Sequence, residues 1–274
     1  MEKRDSQVGS TADGLVVIRA GAQASTLGIS DPFAPWFVTS EGHKLVNMAK
    51  ATDPVYEKFN LSRFQYTTSR LQELVTTYEQ VILLGAGFDC RALSLESFKS
   101  GKVKVFEVDT ASKLDQKSRT LHDNDSEIPE WNLYVRADLR TDNLRQKLVT
   151  AGFNPTLSTL ILAEGLTYFI PPDVSQLLVQ PQTLGLETGS RLIFDCWTES
   201  RVESLNRRVK ERIGFELFHP FPLSVQPNAL TKALIDIGYR DATIKPLSEI
   251  AAQSWGYAIQ DDFGLSWYMV EVVL

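Results

Sequence analysis

The sequence predicts an α/β fold, a doubly wound and mostly parallel sheet of seven strands with a mainly helical N-terminal cap. Short apolar segments of strand length alternate along the chain with segments of helical spacing. One of them, residues 81–84, has four consecutive aliphatic residues, which suits a strand covered on both faces. With 274 residues and 43% hydrophobic content, the chain is also long enough to bury a large core.

The order of these segments defines the sheet. Strands are predicted over residues 81–84, 103–109, 133–135, 159–162, 191–194, 242–245 and 265–273. Helices are predicted over residues 62–80, 110–121, 141–151, 173–184 and 227–237. Only a loop is expected between the last two strands, so one strand at the end of the sheet must run antiparallel to its neighbours.

The segments outside this alternation of strands and helices are the N-terminal region and a later segment that faces the substrate. Residues 1–14 are expected to be a disordered tail, and residues 15–274 one domain. Within it, residues 15–61 are expected to form the cap, and about residues 198–226 a second segment that faces the substrate. The cap contains a stretch rich in proline and aromatic residues at 31–37.

Charge and composition narrow the classes of partner. The formal net charge of -6 argues against nucleic acid, which is bound by clustered Lys and Arg. The polar N-terminus is not a signal peptide and no stretch is long and apolar enough to span a bilayer, so we expect a cytoplasmic protein without a membrane partner. The two cysteines, Cys90 and Cys196, and the three histidines lack metal-ligand spacing. We therefore expect no disulfide and no metal, with both thiols buried.

The loop after the first strand is the most informative segment for function. Glycines at 85 and 87 allow a tight turn and a close approach to a ligand. A dinucleotide site needs a third glycine, and Cys90 stands in its place, which argues against NAD. The next strand ends at Asp109, whose carboxylate can accept hydrogen bonds from ribose hydroxyls. The pair favours a cofactor with an adenosine and no phosphate, although an ordinary strand-to-helix turn with Asp109 as a cap stays open.

Four motifs resemble, in order and spacing, the leucine carboxyl methyltransferase family. They are LGAGFDCRA at residues 84–92, FEVD at 106–109, ADLR at 137–140 and AEGLTY at 163–168, within a resemblance that covers residues 70–197. The family comprises S-adenosylmethionine-dependent O-methyltransferases on a class I, Rossmann-like fold whose final strand runs antiparallel. Some members act on the carboxyl terminus of a protein phosphatase, and others act on small molecules such as polyketide carboxylates.

The resemblance implies which residues hold the adenosine part of S-adenosylmethionine. The glycine loop, Gly85, Ala86 and Gly87, lies under the cofactor. Asp109 binds the ribose. Asp138 takes the exocyclic amine of the adenine, and Leu139 covers the face of its ring.

The resemblance also implies partners for the methionine part. Arg70 is expected to meet the methionine carboxylate, a pairing that a guanidinium fork makes well. Glu164 is expected near the methionine amino group. Members that act on the phosphatase carry a lysine just before an aromatic-rich Asp-Pro motif, and residues 25–32 have none, which favours the small-molecule branch.

The predicted function is therefore S-adenosylmethionine-dependent transfer of a methyl group to a carboxylate, or to a phenolic or other hydroxyl oxygen, of a small molecule, in natural-product biosynthesis. A carboxylate is already ionised at neutral pH and needs no base. A phenol would benefit from one, and His219 is the candidate by residue type, with a structural role as the alternative. Tyr168 follows the fourth strand and is expected to orient the acceptor oxygen.

Three further residues, Arg63, Tyr66 and Trp197, are candidates for the acceptor pocket. The apolar segments 31–37 and 215–223 fit a greasy acceptor cavity, the core or an interface. Two other functions stay open. One is a carboxyl methyltransferase directed at a protein C-terminus, and the other is a cofactor-binding protein without methyl transfer. Neither the acceptor's identity nor the oligomeric state follows from the sequence.

Overall fold

The computed structural model describes residues 2–259 and 262–274, and in these residues seven strands form one sheet. The strands are β1 (Gln80–Leu84), β2 (Lys104–Asp109), β3 (Asn132–Arg136), β4 (Thr159–Ala163), β5 (Arg191–Trp197), β6 (Asp241–Pro246) and β7 (Trp267–Val273). Their order is β3-β2-β1-β4-β5-β7-β6. Neighbouring strands pair in parallel except β7, which is antiparallel to both β5 and β6. The predicted doubly wound, mostly parallel sheet is confirmed.

The helices precede the sheet and connect its strands. They are α1 (Glu2–Ala20), α2 (Ala22–Thr26), α3 (Ser40–Thr52), α4 (Tyr56–Leu74), α5 (Arg91–Ser94), α6 (Glu96–Lys99), α7 (Ala111–Asp123), α8 (Leu144–Thr150), α9 (Pro172–Leu178), α10 (Pro181–Leu184), α11 (Glu199–Ile213), α12 (Pro227–Ile237), α13 (Leu247–Trp255) and α14 (Asp262–Leu265), with 3-10 helices at Ala34–Phe37 and Val75–Thr77. The N-terminal region is mainly helical, as predicted.

Helices cover both faces of the sheet. Along β1, Ile82 and Leu84 belong to one apolar cluster, whereas Val81 and Leu83 belong to another. Alternate residues of a strand point to opposite faces, so the two clusters are the two cores of a doubly wound sheet. Such a sheet is covered on both sides, which explains the continuous aliphatic run in β1.

The strand order places a crevice at the carboxyl ends of β1 and β4. These strands are neighbours, and the chain continues from β1 to β2 on one side and from β4 to β5 on the other. Open α/β sheets bind ligands at this switch point, because the loops that leave the two strands diverge there. The crevice is therefore bordered by the glycine loop after β1 and by the segment after β4.

Helix α1 differs from the prediction for the N-terminus. It begins at Glu2, so helix lies where the sequence predicts a disordered tail through residue 14. Its later turns are buried at Val16 and Ile18, and α3 packs closely against it. A Cβ added to Gly42 of α3 would lie 2.6 Å from the carbonyl oxygen of Asp13. Tertiary packing of this kind stabilises helices whose sequence signal is weak.

The C-terminal region also differs from the prediction. The expectation of only a loop between the last two strands is wrong, because α13 and α14 lie between β6 and β7. Helix α13 buries Leu247, Ile250 and Ala251. The second and third of these residues lie three and four positions after the first, so all three share one face of the helix. The predicted helix over residues 173–184 is divided in two where Pro181 begins α10.

Candidate functional site

A cavity of about 930 Å³ opens at the carboxyl ends of the central strands. Its lining includes the glycine loop, the ends of β2 and β4, and residues of α1, α3, α4 and α11. Ligand sites in proteins commonly measure about 300–1,000 Å³, so this one is at the upper end of the range.

The glycine loop forms one wall of the cavity and is held by Asp109. Gly85 has a φ of 65° and Gly87 a φ of 48°, values that few side-chain-bearing residues adopt. The Gly87 N–H donates to Asp109 Oδ2 over 2.8 Å, and the Thr110 N–H donates to Asp109 Oδ1 over 2.7 Å. Burial raises the pKa of the Asp109 carboxyl, and these two N–H groups offset part of that rise. The predicted residues Gly85, Ala86, Gly87 and Asp109 thus lie together in the cavity wall.

The segment after β3 forms the adjoining part of the wall. Asp138 and Leu139 both line the cavity. Arg140 donates to Asp138 from Nε over 2.9 Å and from Nη2 over 2.8 Å, and these bonds hold the pKa of the Asp138 carboxyl below its usual value. About a third of each of these two side chains remains exposed. The Asp138 carboxylate is thus oriented by Arg140 and still accessible.

Buried charges lie at the base of the cavity, centred on Arg63 of α4. Arg63 is 2% exposed, donates from Nε to Glu164 Oε1 over 3.0 Å, and donates from Nη1 to Asp195 Oδ2 over 3.1 Å. The same Nη1 donates to the Tyr168 hydroxyl over 2.7 Å, and that hydroxyl donates to Asp195 Oδ2 over 3.1 Å. Burial alone would lower the pKa of Arg63, but Tyr168, Asp195 and Glu164 raise it, so the guanidinium stays charged.

A second arginine, Arg91 at the start of α5, ties the glycine loop to the same carboxylate. Its Nη2 lies 2.9 Å from Glu164 Oε2 and 2.5 Å from Asp89 Oδ2, and its Nη1 donates to Thr67 Oγ1 over 2.7 Å. Burial alone would raise the pKa of Glu164, but Arg91, Arg63 and the hydrogen bond from Thr67 hold it below its usual value. We call this set of residues the buried ion-pair network; its members are Arg63, Thr67, Asp89, Arg91, Glu164, Tyr168 and Asp195.

Arg70, the residue predicted to meet the methionine carboxylate, lies elsewhere. Its guanidinium pairs with Glu271 of β7 at 2.9 and 2.7 Å and with Glu73, and it does not line the cavity. From Arg63 to Arg70 helix α4 advances two turns, about 10 Å, on nearly the same face. The predicted role of Arg70 is therefore not supported by its position. Of these two arginines of α4, Arg63 is the one that lines the cavity.

Two other predicted residues also lie outside the cavity lining. Tyr66 is one turn beyond Arg63 on α4 and packs against the core beneath the sheet. The backbone N–H of His219 donates to the Tyr168 carbonyl over 2.9 Å. Its neighbours Leu217 and Phe218 line the cavity, whereas His219 does not. The prediction of His219 as a base is not supported by this position.

The candidate acceptor region contains Tyr168 and Trp197, whose rings stack with centroids 3.6 Å apart. Both residues line the cavity. The Tyr168 hydroxyl is bonded to Arg63 and Asp195, and burial raises its pKa well above the ordinary value, so it is neutral and already engaged. The position of this hydroxyl therefore does not support its predicted role in orienting an acceptor. The Trp197 indole N–H is buried without a hydrogen-bond partner among the described residues.

Helix α11 supplies residues to this region that the sequence analysis missed. Arg201 lines the cavity, with its guanidinium carbon 4.9 Å from the Trp197 ring centroid and its Nη1 3.2 Å from Ser266 Oγ. Asp195 was also missed, although it is a lone carboxylate within the apolar run of β5. A charge at such a position needs a partner, and that signal was available in the sequence.

The two apolar segments predicted to fit an acceptor cavity, residues 31–37 and 215–223, lie in different places. Phe218 lines the cavity, and so does Leu217. The segment at 31–37 is instead core, since Phe37 stacks on Phe88 with centroids 4.7 Å apart beneath the glycine loop.

Other chemistry-bearing groups are less suited to catalysis. Cys90 and Cys196 are buried free thiols, as expected, and burial raises the pKa of Cys90 to about 12. The described residues contain no group of three metal-ligating side chains. Within the part of the chain that the structure describes, we find no helix long and apolar enough to cross a membrane.

Sequence comparisons identify a family and relatives to which this chain is similar. A model of the leucine carboxyl methyltransferase family matches residues 14–182. A Mycobacterium tuberculosis protein named as an S-adenosyl-L-methionine-dependent methyltransferase is 30% identical over 77% of this chain and 72% of its own length. A Mycolicibacterium smegmatis protein named in the same way is 31% identical over 81% of this chain and 75% of its own.

Solved structures share the fold at low sequence identity. A DUF574 family protein from Streptomyces avermitilis has a TM-score of 0.63 and 13% identity, with 96% of each chain covered. A Thermobifida fusca protein described as a methyltransferase has a TM-score of 0.61 and 14% identity, with 95% of this chain and 93% of its own covered.

Proposed function

The chain belongs to the leucine carboxyl methyltransferase family, and from this premise we propose that it methylates a carboxylate oxygen of a small molecule, in natural-product biosynthesis. It is an S-adenosylmethionine-dependent methyltransferase. When bound, the cofactor supplies a methyl group on a positively charged sulfur, which a carboxylate takes up to give an ester and a neutral thioether without releasing a proton.

The residues of the cavity fit the adenosine part of this cofactor. Gly85 has a φ of 65°, and a Cβ added there would lie 3.0 Å from Leu166 Cδ1, so glycine is favoured at this point of the loop. Asp109 is fixed by two backbone N–H groups and keeps lone pairs for ribose hydroxyls. Asp138, oriented by Arg140, is the acceptor for the adenine amine, and Leu139 provides an apolar surface for the ring.

The buried ion-pair network fits the methionine part. Arg63 replaces Arg70 as the cation for the methionine carboxylate, and Glu164 is the anion for the amino group. The two side chains are already paired at 3.0 Å, which presents opposite charges side by side to a zwitterion. Arg91 fixes Glu164 from the other side, so the pair is oriented before the cofactor binds.

The acceptor is proposed to be a carboxylate because the candidate acceptor region, around Tyr168 and Trp197, offers hydrogen-bond donors and, among the described residues, no histidine. The described residues that line the cavity include no histidine. The lining carboxylates already accept hydrogen bonds from described residues; they are Asp53, Asp89, Asp109, Asp138 and Glu164. A phenol would need a base to take its proton, whereas a carboxylate arrives ionised.

The residues of this chain act by orienting that carboxylate. The Trp197 indole N–H and the Arg201 guanidinium are the proposed donors, and the aromatic rings of Tyr168 and Phe218 exclude water around them. Positioning of two reactants in this way contributes up to about 7–11 kcal/mol to lowering a barrier. Catalysis then needs alignment and dehydration and no proton transfer.

The proposal is tested by the proton balance of the reaction. The protein is incubated with S-adenosylmethionine and pairs of acids and phenols with the same ring, and both S-adenosylhomocysteine and proton release are measured. We expect acids alone to react, with no proton released per turnover. Reaction of phenols with one proton per turnover would contradict the carboxylate assignment, and binding without turnover on any acceptor, including peptides with a free C-terminus, would favour a cofactor-binding role.

A further inference from the structure

Helix α11 carries two arginines toward the same cavity. Arg201 and Arg208 both line it, as does Ser204 between them. Residues seven apart on a helix lie on nearly the same face and are separated by about 10 Å along its axis. The helix therefore presents a basic stripe to the cavity, from Arg201 beside Trp197 to the exposed Arg208.

The two arginines lie in different surroundings. Arg201 is 7% exposed and lies beside the Trp197 ring. Arg208 is exposed, and among the described residues it forms no ion pair. A flexible, solvated guanidinium at the edge of a ligand cavity can bind an anionic group of a ligand by charge-assisted hydrogen bonds.

The lining of the cavity as a whole is more apolar than polar. Leu45 and Met48 of α3 and Leu205 of α11 contribute to the lining. Asp53, which directly follows α3, also lines the cavity, and its Oδ1 accepts the Val55 N–H over 3.1 Å. An apolar chain with an anion at each end matches this pattern of charge and surface.

We propose that the acceptor carries two anionic groups, a reacting carboxylate at Arg201 and a second carboxylate held by Arg208 about two helical turns away. The substrate class is an extended α,ω-dicarboxylic acid whose chain lies along α11. This inference rests on the proposed function and names the substrate class of the same site. Arg201 orients the reacting group, and Arg208 is a specificity residue that does not touch the reacting atoms.

The test compares acids that differ only in the second carboxylate. Binding of decanedioic and decanoic acid, and of the matching pairs from octane to hexadecane chains, is measured by calorimetry on the full chain saturated with S-adenosylhomocysteine. We expect at least one diacid to bind about tenfold or more tightly than its matched monoacid, as for a charge-assisted contact. Equal affinities throughout the series would overturn the proposal.

Two variants locate the second contact. R208Q is expected to remove the preference for the diacid while binding the monoacid and S-adenosylhomocysteine as before. R207Q, at an exposed neighbour that does not line the cavity, is the matched control and is expected to keep the preference. A preference that survives R208Q, or is lost equally in R207Q, would contradict the role of Arg208.

Failure of this inference is distinguishable from failure of the proposed function. A protein that forms methyl esters of monoacids without preferring diacids retains the function and refutes the second contact. A protein that forms no ester with any acid, although it binds S-adenosylhomocysteine, refutes the function itself.

Discussion

Arg63 and Glu164, which are 101 positions apart in the chain, meet at the base of the cavity with Nε and Oε1 separated by 3.0 Å. Arg63 comes from the helix that precedes the sheet, and Glu164 follows β4. Their pairing joins helix α4 to the switch point of the sheet. The proposed site for the methionine part depends on this one contact.

Separate substitution of Arg63 and Arg70 by lysine tests which of these two arginines of α4 binds the cofactor. R63K is expected to weaken S-adenosylhomocysteine binding about tenfold or more, because lysine cannot make the forked contacts of a guanidinium. R70K is expected to leave that affinity unchanged, since Arg70 pairs with Glu271 outside the cavity. Calorimetric titration of both variants decides between them, and a larger loss in R70K would restore the sequence-based assignment.

Glu164→Gln keeps the shape of the side chain and removes its charge. The variant leaves Arg63 and Arg91 without a shared anion, so we expect about a tenfold or greater loss of S-adenosylhomocysteine affinity. Glu130→Gln, at an exposed position, serves as the control and should bind as the wild type does. Wild-type affinity in E164Q would show that this carboxylate is structural.

Gly85→Ala tests the close approach of the glycine loop. The alanine needs a φ of 65° and meets Leu166 at 3.0 Å, so we expect lost S-adenosylhomocysteine binding and a destabilisation of about 1–3 kcal/mol. Gly152→Ala also carries a backbone penalty, with a φ of 96°, but Gly152 does not line the cavity and has no atom within 4 Å of an added Cβ. It should lose stability and keep its affinity, and equal affinity losses in the two variants would argue against a specific role of Gly85.

Cofactor binding should depend on pH through Asp109. The ionised carboxylate accepts the ribose hydrogen bonds, and burial raises its pKa above the usual value. Affinity for S-adenosylhomocysteine is therefore complete above that raised pKa and falls as the pH drops through it, earlier than for an ordinary aspartate near about 4. D109N should bind S-adenosylhomocysteine weakly, and its affinity should not fall further as the pH drops. Affinity is measured by calorimetric titration at pH values where circular dichroism shows a folded protein. An acid limb retained in D109N would assign it to another group.

The buried pair of Lys117 and Glu107 is expected to stabilise the support of the glycine loop. Both side chains are fully buried, and Lys117 also donates to the Asp89 carbonyl. Lys117→Met leaves Glu107 unpaired, so we expect a loss of about 3–5 kcal/mol in the free energy of unfolding in urea. The double variant with Glu107→Leu should recover most of it. If Lys117→Met were as stable as the wild type, the pair would contribute nothing to the free energy of unfolding.

The sequence was informative where local pattern and tertiary role coincide. The aliphatic run of β1, the loop glycines and Asp109 have the positions that the pattern predicts, because a strand buried on both faces and a tight turn each demand particular residue types. Asp138, Leu139 and Glu164 also line the cavity, since short segments after strands necessarily meet at one edge of a parallel sheet.

The sequence was less informative where contacts depend on distant segments. Arg63 and Arg70 are equivalent by helical periodicity, and only the position of α4 on the sheet decides which one reaches the cavity. Tyr168 has the expected place, but its hydroxyl is bonded to Asp195, a residue 27 positions away. The basic stripe of α11 follows a predicted strand without any motif, so its role became visible only when the helix was placed against the cavity.

The most direct test of the account is the chemical nature of the bond that the enzyme forms. The protein is incubated with S-adenosylmethionine labelled in its methyl group and with a panel of mono- and dicarboxylic acids and phenols, and the products are treated with mild alkali. The account predicts that the label enters acids and is released as methanol, because esters are cleaved by base. Label that enters a phenol and resists alkali, or label that enters no acceptor, would contradict it.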